Sequence, residues 1–282
     1  MTPEDRIRTL PLWTGPITIA PLTGGITNRN YLVQDARKRA VVRLGEDIPV
    51  HHIQRPHERA ASLAAHAAGV SPAVLHHGPG VLVIAYIDGR TLTAADIAQN
   101  LDPALDLVAR AHREIPQHLR GAAPLFWVFH TLRDYAATLS DPRLPALMQE
   151  ARTLEAATGP ITLVFGHNDL LPANFIDDGT RLWLIDWDYA GFNSPLFDLG
   201  GLAANNALTP DQETHLLTRY YARTPSKTLI RRYRAMKAAS ALREALWSMV
   251  SERHSTIAFD YAAYTEANLA TYHAAFTAFQ QS

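Results

Sequence analysis

Apolar and polar positions change their rhythm near residue 88. Before it the chain carries short β-like runs at residues 16–22, 30–34, 39–44, 73–76 and 81–86, separated by Gly24-Gly25, a turn at 35–38 and Gly78-Pro79-Gly80. One helix interrupts them, expected from Pro56, a proline suited to a first turn, to Ala68, where Gly69 stops it. After Asp88-Gly89-Arg90 helical patterning takes over, with starts expected at Thr93, Asp102-Pro103 and Asp141-Pro142. A strand-rich insert from Thr162 to Ile185 follows, then long helices to the end. The pattern predicts an α+β chain with a small antiparallel-sheet lobe over residues 1–87 and a larger, mainly helical lobe over 88–282.

The insert carries the chemistry. Gly166-His167-Asn168-Asp169 through Asn174 reads as a tight loop between two apolar strands, and Asp186 ends the strand that returns after the Asp178-Gly179 turn. Two acidic groups and one amide carbonyl are thereby expected to converge. Phosphoryl transfer asks for little covalent chemistry; it needs a divalent metal held on the ATP phosphates and a hydroxyl aimed at the γ-phosphorus. Oxygen ligands of this kind suit Mg2+. On this reading Asp169 accepts or orients the substrate hydroxyl, Asn174 and Asp186 ligate magnesium, and His167 braces the loop.

A sheet lobe, a short linker and a helical lobe with His-x-Asp and a later Asp stand in the order of a two-lobed protein-kinase-like fold, with nucleotide in the cleft. Gly24 and Gly25, with Thr27 and Asn28, are expected to bring backbone N–H groups close to phosphate oxygens; an ordinary hairpin turn is the competing reading of that loop. Arg43 ends an apolar strand, where its guanidinium can bind phosphate and pair with Glu58 on the next helix, the alternative being a plain surface ion pair. Tyr86 and Ile87, where strand meets linker, are candidates for adenine contact.

Composition fits an enzyme without narrowing its substrate. The 282 residues are 47% hydrophobic, enough for a large core, and the absence of cysteine excludes a disulfide framework or thiolate zinc site. A net charge of -1 offers no field for nucleic acid. The start, Met1-Thr2-Pro3-Glu4-Asp5-Arg6, shows no secretion pattern, and no apolar run reaches the roughly 20 residues of a membrane span, so a cytoplasmic protein is expected, as a monomer or homodimer. His51, His52 and His57 lie close together without zinc-site spacing and read as a solvated loop.

The motifs also resemble a family. Thr23-Gly24-Gly25-Ile26-Thr27-Asn28-Arg29-Asn30-Tyr31, Val42-Arg43-Leu44, Gly166-His167-Asn168-Asp169 with Asn174, Ile185-Asp186-Trp187-Asp188-Tyr189-Ala190-Gly191, Ala245-Leu246-Trp247-Ser248 and Ser255 through Tyr261 are similar to the choline/ethanolamine kinase family, within the aminoglycoside phosphotransferase and kinase-like group. The resemblance covers nearly the whole chain. It implies ATP and Mg2+ as cofactors and a small amino alcohol held in a cage of aromatic and acidic side chains beside Asp169. The candidates are Tyr189, Trp247, Phe259, Tyr261 and Tyr264, with Asp188 as an acidic neighbour; each ring also has the plain reading of a core residue.

The chain departs from the eukaryotic pattern at three places. A cage glutamate falls on Asn205, a second tryptophan on Glu244 and a glutamine after the catalytic aspartate on Leu171. Glu244, three residues before Trp247 and so on the same helical face, is expected to supply the missing negative charge. That exchange favours a less methylated amine such as ethanolamine over choline. An aminoglycoside, thiamine or another alcohol as acceptor, and a non-catalytic pseudokinase, are the alternatives.

Overall fold

The computed structural model describes residues 2–22 and 28–282, so Gly24, Gly25 and Thr27 of the expected phosphate loop lie outside the described residues. A short helix, α1 (Pro3–Arg8), opens the chain, capped by Thr2 in a capping box with Asp5. Then come β1 (Thr18–Leu22), β2 (Arg29–Gln34) and β3 (Arg39–Leu44), the helix α2 (Arg55–Ala67), β4 (Val74–Gly78) and β5 (Val81–Ala85). They form one antiparallel sheet in the order β1-β2-β3-β5-β4. Gly69, at φ +70°, takes the left-handed conformation that ends α2 one residue from where the sequence pattern ends it.

Strand alternation decides what each face of this sheet does. Ala40, Val42 and Leu44 of β3 join Tyr31, Val33, Val83 and Ile7 of α1 in a small core, while Val41 and Arg43 turn to the cleft on the other face. The position of Arg43 over the cleft is therefore a consequence of period two. Its neighbours Val42 and Leu44 could not reach the same space.

In the helical lobe β6 (Arg90–Thr91) leads to α3 (Ala94–Gln99), which starts at the Thr93 capping box as expected, then α4 (Leu101–His118), α5 (Val128–Thr138) and α6 (Leu144–Ala157). The start of α5 carries no polar signal, because its N-cap is Trp127 and no side chain caps it. The insert folds as β7 (Val164–Gly166), β8 (Phe175–Asp177), β9 (Leu182–Leu184) and β10 (Gly191–Asn193). β10 pairs with β7, and β6, β8 and β9 form a second small sheet. The chain ends with α7 (Pro195–Asn205), α8 (Pro210–Tyr221), α9 (Lys227–His254) and α10 (Tyr261–Gln280).

Helix α9 is the axle of this lobe. It packs against α5, α6, α7 and α10, and from Ala238 to Ser251 every residue is buried. A helix surrounded on all sides has no single apolar stripe, so polar residues in that stretch, Arg243 and Glu244 among them, are carried into the interior. Among the described residues no helix is long and apolar enough to cross a membrane.

Helix α7 comes close to α9 at Gly200, where a Cβ would stand 2.7 Å from the backbone of Lys237. Gly200→Ala should therefore force the helices apart and destabilise the protein by about 1–3 kcal/mol, despite the better helix propensity of alanine. Urea denaturation of parent and variant checks this; an unchanged midpoint would mean the contact is slack.

Candidate active site

The loop after β7 is held from two sides. Asp198, inside α7, accepts from the backbone N–H groups of His167 and Asn168, both at 2.7 Å, and from His112 Nε2 at 2.9 Å. Burial pushes its carboxyl up, but the His112 hydrogen bond and the surrounding donors outweigh it, and it lies below the usual carboxylate range. Asn168 takes φ 64°, a left-handed conformation asparagine tolerates, and its amide donates to the carbonyls of Tyr189 and Gly191. His167 is buried, packs its ring at a tilt against Trp187 with centres 4.7 Å apart and donates Nε2–H to the carbonyl of Ile185 at 2.9 Å. Burial lowers its pKa, so the ring is a neutral brace between the loop and the strand end that carries Asp186.

Asn174 donates its amide to the Asp169 carbonyl at 2.8 Å, which leaves its Oδ1 turned away from the loop. Asp186 sits at φ 69°, where a non-glycine residue is strained by about 1–3 kcal/mol. Its Oδ1 accepts from Arg43 and its Oδ2 from none of the described residues. Both residues line a cleft of about 400 Å³ between the lobes, with Arg43, Glu58, Tyr86 and Ile87 also on its walls. Asn174 and Asp186 thus line the same cleft, and since neither Asn174 Oδ1 nor Asp186 Oδ2 accepts a hydrogen bond among the described residues, both hard oxygens are free and suit a divalent cation.

Behind that cleft lies a buried ion network. Arg43 Nη1 donates to Glu58 at 2.6 Å, Asp186 at 2.8 Å and Asp188 at 2.9 Å. Arg55 Nη1 donates to Glu58 at 2.7 Å and to Asp188 at 2.9 Å, and its Nη2 to Asn28 Oδ1 at 2.7 Å. Asn28 in turn donates to Asp188 Oδ2 at 2.9 Å. Glu58, Asp186 and Asp188 stand against two guanidiniums, and burial together with the Asp186 and Glu58 carboxylates pushes the Asp188 carboxyl up to about 8. Burial pushes the Asp186 carboxyl up, but Arg43 pulls harder and holds it below its usual value.

This network corrects two expectations. Asp188, expected beside the amine, has both carboxylate oxygens taken by Arg43, Arg55 and Asn28. Asn28, expected to lie against phosphate, instead has both ends of its amide committed to Arg55 and Asp188. Arg55 itself was not foreseen, although it stands three residues before Glu58 on α2, the spacing that lets helical charges meet.

Asp169 faces the helices. Arg243 Nη1 lies 3.1 Å from Asp169 Oδ1 and 2.8 Å from Glu244 Oε2, with its guanidinium 4.1 Å from the centre of the Tyr189 ring. Tyr264 donates to Glu244 Oε1 at 2.8 Å, and Trp247 Nε1 to the Tyr189 hydroxyl at 2.7 Å. Tyr261 and Tyr264 flank Trp247 with ring centres 6.3 and 6.4 Å away, and Phe259, 42% exposed, covers both tyrosines. The rings named from sequence are thus gathered on one wall. Asn205 is one step removed, donating to the Leu170 carbonyl at 3.3 Å. His51, expected to be solvated, is buried between Tyr135 and Trp247 and bonded to Ser251, because its turn is pressed against α9. Arg243 was missed, although an Arg243-Glu244 pair of charges amid the alanine-rich centre of α9 is a signal of internal partners.

Residues 18–239 match the model of the phosphotransferase enzyme family. The chain belongs to that family. It is 28% identical to Protein LicA of Haemophilus influenzae over 85% of this chain and 75% of the relative. It is 28% identical to a probable ethanolamine kinase of Arabidopsis thaliana over 88% and 76%. Among solved structures, a choline/ethanolamine kinase family protein of Mesorhizobium loti aligns with a TM-score of 0.77 at 26% identity, covering 99% of each chain. The two-lobed, kinase-like architecture of this phosphotransferase is shared with that structure.

Burial, opposed by Arg243 and reinforced by Glu244 and Asp186, pushes the Asp169 carboxyl up to about 7. The folded state thus holds a proton that the unfolded chain releases near 3.8, so this group lowers stability as pH rises from there to about 7. If the ionised form accepts the substrate proton, kcat/KM should fall about tenfold per unit below a pH of about 7. A pH–rate profile flat between roughly pH 5 and 8 would remove Asp169 as the titrating group.

Proposed function

We propose that this phosphotransferase moves the γ-phosphoryl group of ATP to the hydroxyl of a small amino alcohol, of the choline and ethanolamine class. The observation that carries the reading is the two-sided placement of the catalytic loop. Asn174 and Asp186 face the interlobe cleft, while Asp169 faces a wall of Glu244, Tyr189, Trp247 and Tyr264. A site for phosphates and a site for a cationic alcohol therefore meet at one carboxylate. The names of the relatives, a probable ethanolamine kinase and a choline/ethanolamine kinase family protein, support the same class. A large polycation such as an aminoglycoside needs an open acidic groove, whereas Glu244 and Trp247 are buried.

On this reading the adenine lies against Tyr86 and Ile87, and Arg43, held by Glu58, directs its charge to the phosphates. Asn174 and Asp186 would hold Mg2+, which when bound offsets the negative charge of the phosphate oxygens. Asp169 aligns the acceptor hydroxyl and takes its proton. The hydroxyl oxygen bonds to the γ-phosphorus as the bond to the β–γ bridging oxygen breaks, and ADP leaves with the electron pair. His167 and Asp198 touch neither substrate; they fix the loop, so that little reorganisation is needed at the moment of transfer.

An ADP-release assay with magnesium against a panel of alcohols tests the reading. Asp169→Asn should lose about 10²–10⁴-fold in kcat while binding nucleotide normally. Asp186→Ala should instead weaken nucleotide binding in the presence of magnesium and leave metal-free binding nearly unchanged. An Asp169→Asn enzyme with more than about half the parent turnover would exclude the base assignment.

A further inference from the structure

Away from the interlobe cleft, His52, His130 and Asp134 bring two imidazoles and a carboxylate together, with one ligand atom of each within 4.8 Å of the others. None of the three takes part in the proposed transfer. His52 Nε2 stands 2.5 Å from Asp134 Oδ2, and the His52 and His130 rings stack with their centres 5.8 Å apart and planes 23° from parallel. The side chains of His52 and Asp134 are 33% and 55% exposed, so an ion from solvent can reach them.

Two separate parts of the chain build this group. His130 and Asp134 are four residues apart on α5 and so project from one face of that helix. His52 follows the single helical turn Pro49–His51 that precedes α2, and it takes φ 60°. That turn is anchored on both sides. The His51 ring bonds to the Tyr135 hydroxyl at 3.2 Å and to Ser251 at 3.0 Å, and the backbone of Ile48 pairs with that of Ile53. His52 is therefore held in place, while His130 and Asp134, both exposed, are free to change rotamer.

A hydrogen bond between His52 and Asp134 accounts for two members of the group. The second imidazole adds nothing to that bond, but it completes a three-ligand set. Two imidazole nitrogens and one carboxylate oxygen suit zinc and its neighbours, whereas Mg2+ takes oxygen ligands. Metal–ligand bonds of about 2.0–2.2 Å at tetrahedral angles put the ligand atoms about 3.3 Å apart, so Asp134 has to draw back and His130 to move in by roughly 1–2 Å. Exposed side chains make such shifts by rotamer change alone.

We propose that His52, His130 and Asp134 form a binding site for a divalent transition-metal ion of the zinc class, with water in the fourth position. Such an ion ties the turn before α2 to α5 of the helical lobe. Helix α2 begins three residues later with Arg55 and carries Glu58, so the tie lies close to the buried ion network that joins the lobes. Because the ligands come together only in the folded chain, the ion favours that state. The inference stands apart from the reading of the Asp169 cleft as a kinase site.

The test uses the full chain, stripped of metal with a chelator and kept in excess magnesium so that the oxygen ligands of the cleft do not compete. Calorimetric titration with Zn2+ should show one ion bound at this site, and the melting temperature should rise by a few degrees as zinc is added. Zinc itself is spectroscopically silent, so Co2+ in its place should give the visible absorption of a four-coordinate site. His130→Ala and Asp134→Ala should each weaken zinc binding at least about tenfold, since loss of even an outer-shell partner costs ~10–100-fold. A cooperative melt of the metal-free variants separates lost ligation from misfolding, and His57→Ala, a histidine near His52 in sequence only, should bind zinc like the parent. A parent that binds no zinc, or a loss of less than about tenfold in either ligand variant, would overturn the inference and leave His52 and Asp134 as a hydrogen-bonded pair.

Discussion

The five-membered ion network of Arg43, Arg55, Glu58, Asp186 and Asp188 is the interaction on which the rest of the site depends. It links β3 and α2 of the sheet lobe to the residues that follow β9 in the helical lobe. Charges taken out of water are costly unless every one is paired, and removing one partner of such a set is far worse than never having built it. Pairing across the cleft thus fixes where the lobes meet. It also aims Asp186, whose strained backbone is tolerated because Arg43 on one side and the His167 brace below leave it no better place.

A second constraint acts on the loop that carries Asp169. A short turn between two strands has few backbone bonds of its own, and here they are supplied from outside. Asp198 takes the N–H groups of His167 and Asn168, Asn168 ties the loop to β10, and Asn174 closes it on the Asp169 carbonyl. Asp169, the proposed base, is thereby positioned by groups buried beneath the loop, which is how a rigid site is built on a loop.

The wall beside Asp169 follows a different rule. Arg243, Glu244 and Trp247 hang from α9, and Tyr261 and Tyr264 from α10, two helices packed along much of their length. Because α9 is buried all round, the side chains it carries at 243, 244 and 247 must satisfy one another or a ligand. Glu244 finds Arg243 and Tyr264, and Trp247 finds Tyr189, whereas two nitrogens of Arg243 find nothing among the described residues.

By itself the sequence determined the local elements and the inventory of chemistry. Period-two runs placed β2, β3 and β5 within a residue or two of their ends, and the Thr93 and Gly69 signals set helix boundaries, because strands, caps and left-handed glycines depend on near neighbours. His167, Asp169, Asn174 and Asp186 were legible for the same reason, since their spacing lies within one loop and one hairpin. Helix α5 was not, having no polar cap, nor was β10, whose partner β7 lies some 25 residues away. Tertiary structure alone decided which charges meet. Asp188 turns to Arg43 and Arg55 and not to the ring wall of α9 and α10, His51 is buried against α9 rather than solvated, and Arg243 bonds to Asp169 and Glu244. In each case the energy is that of desolvated charge or packed ring, which depends on residues between about 50 and 200 positions away and so leaves no mark on the local pattern.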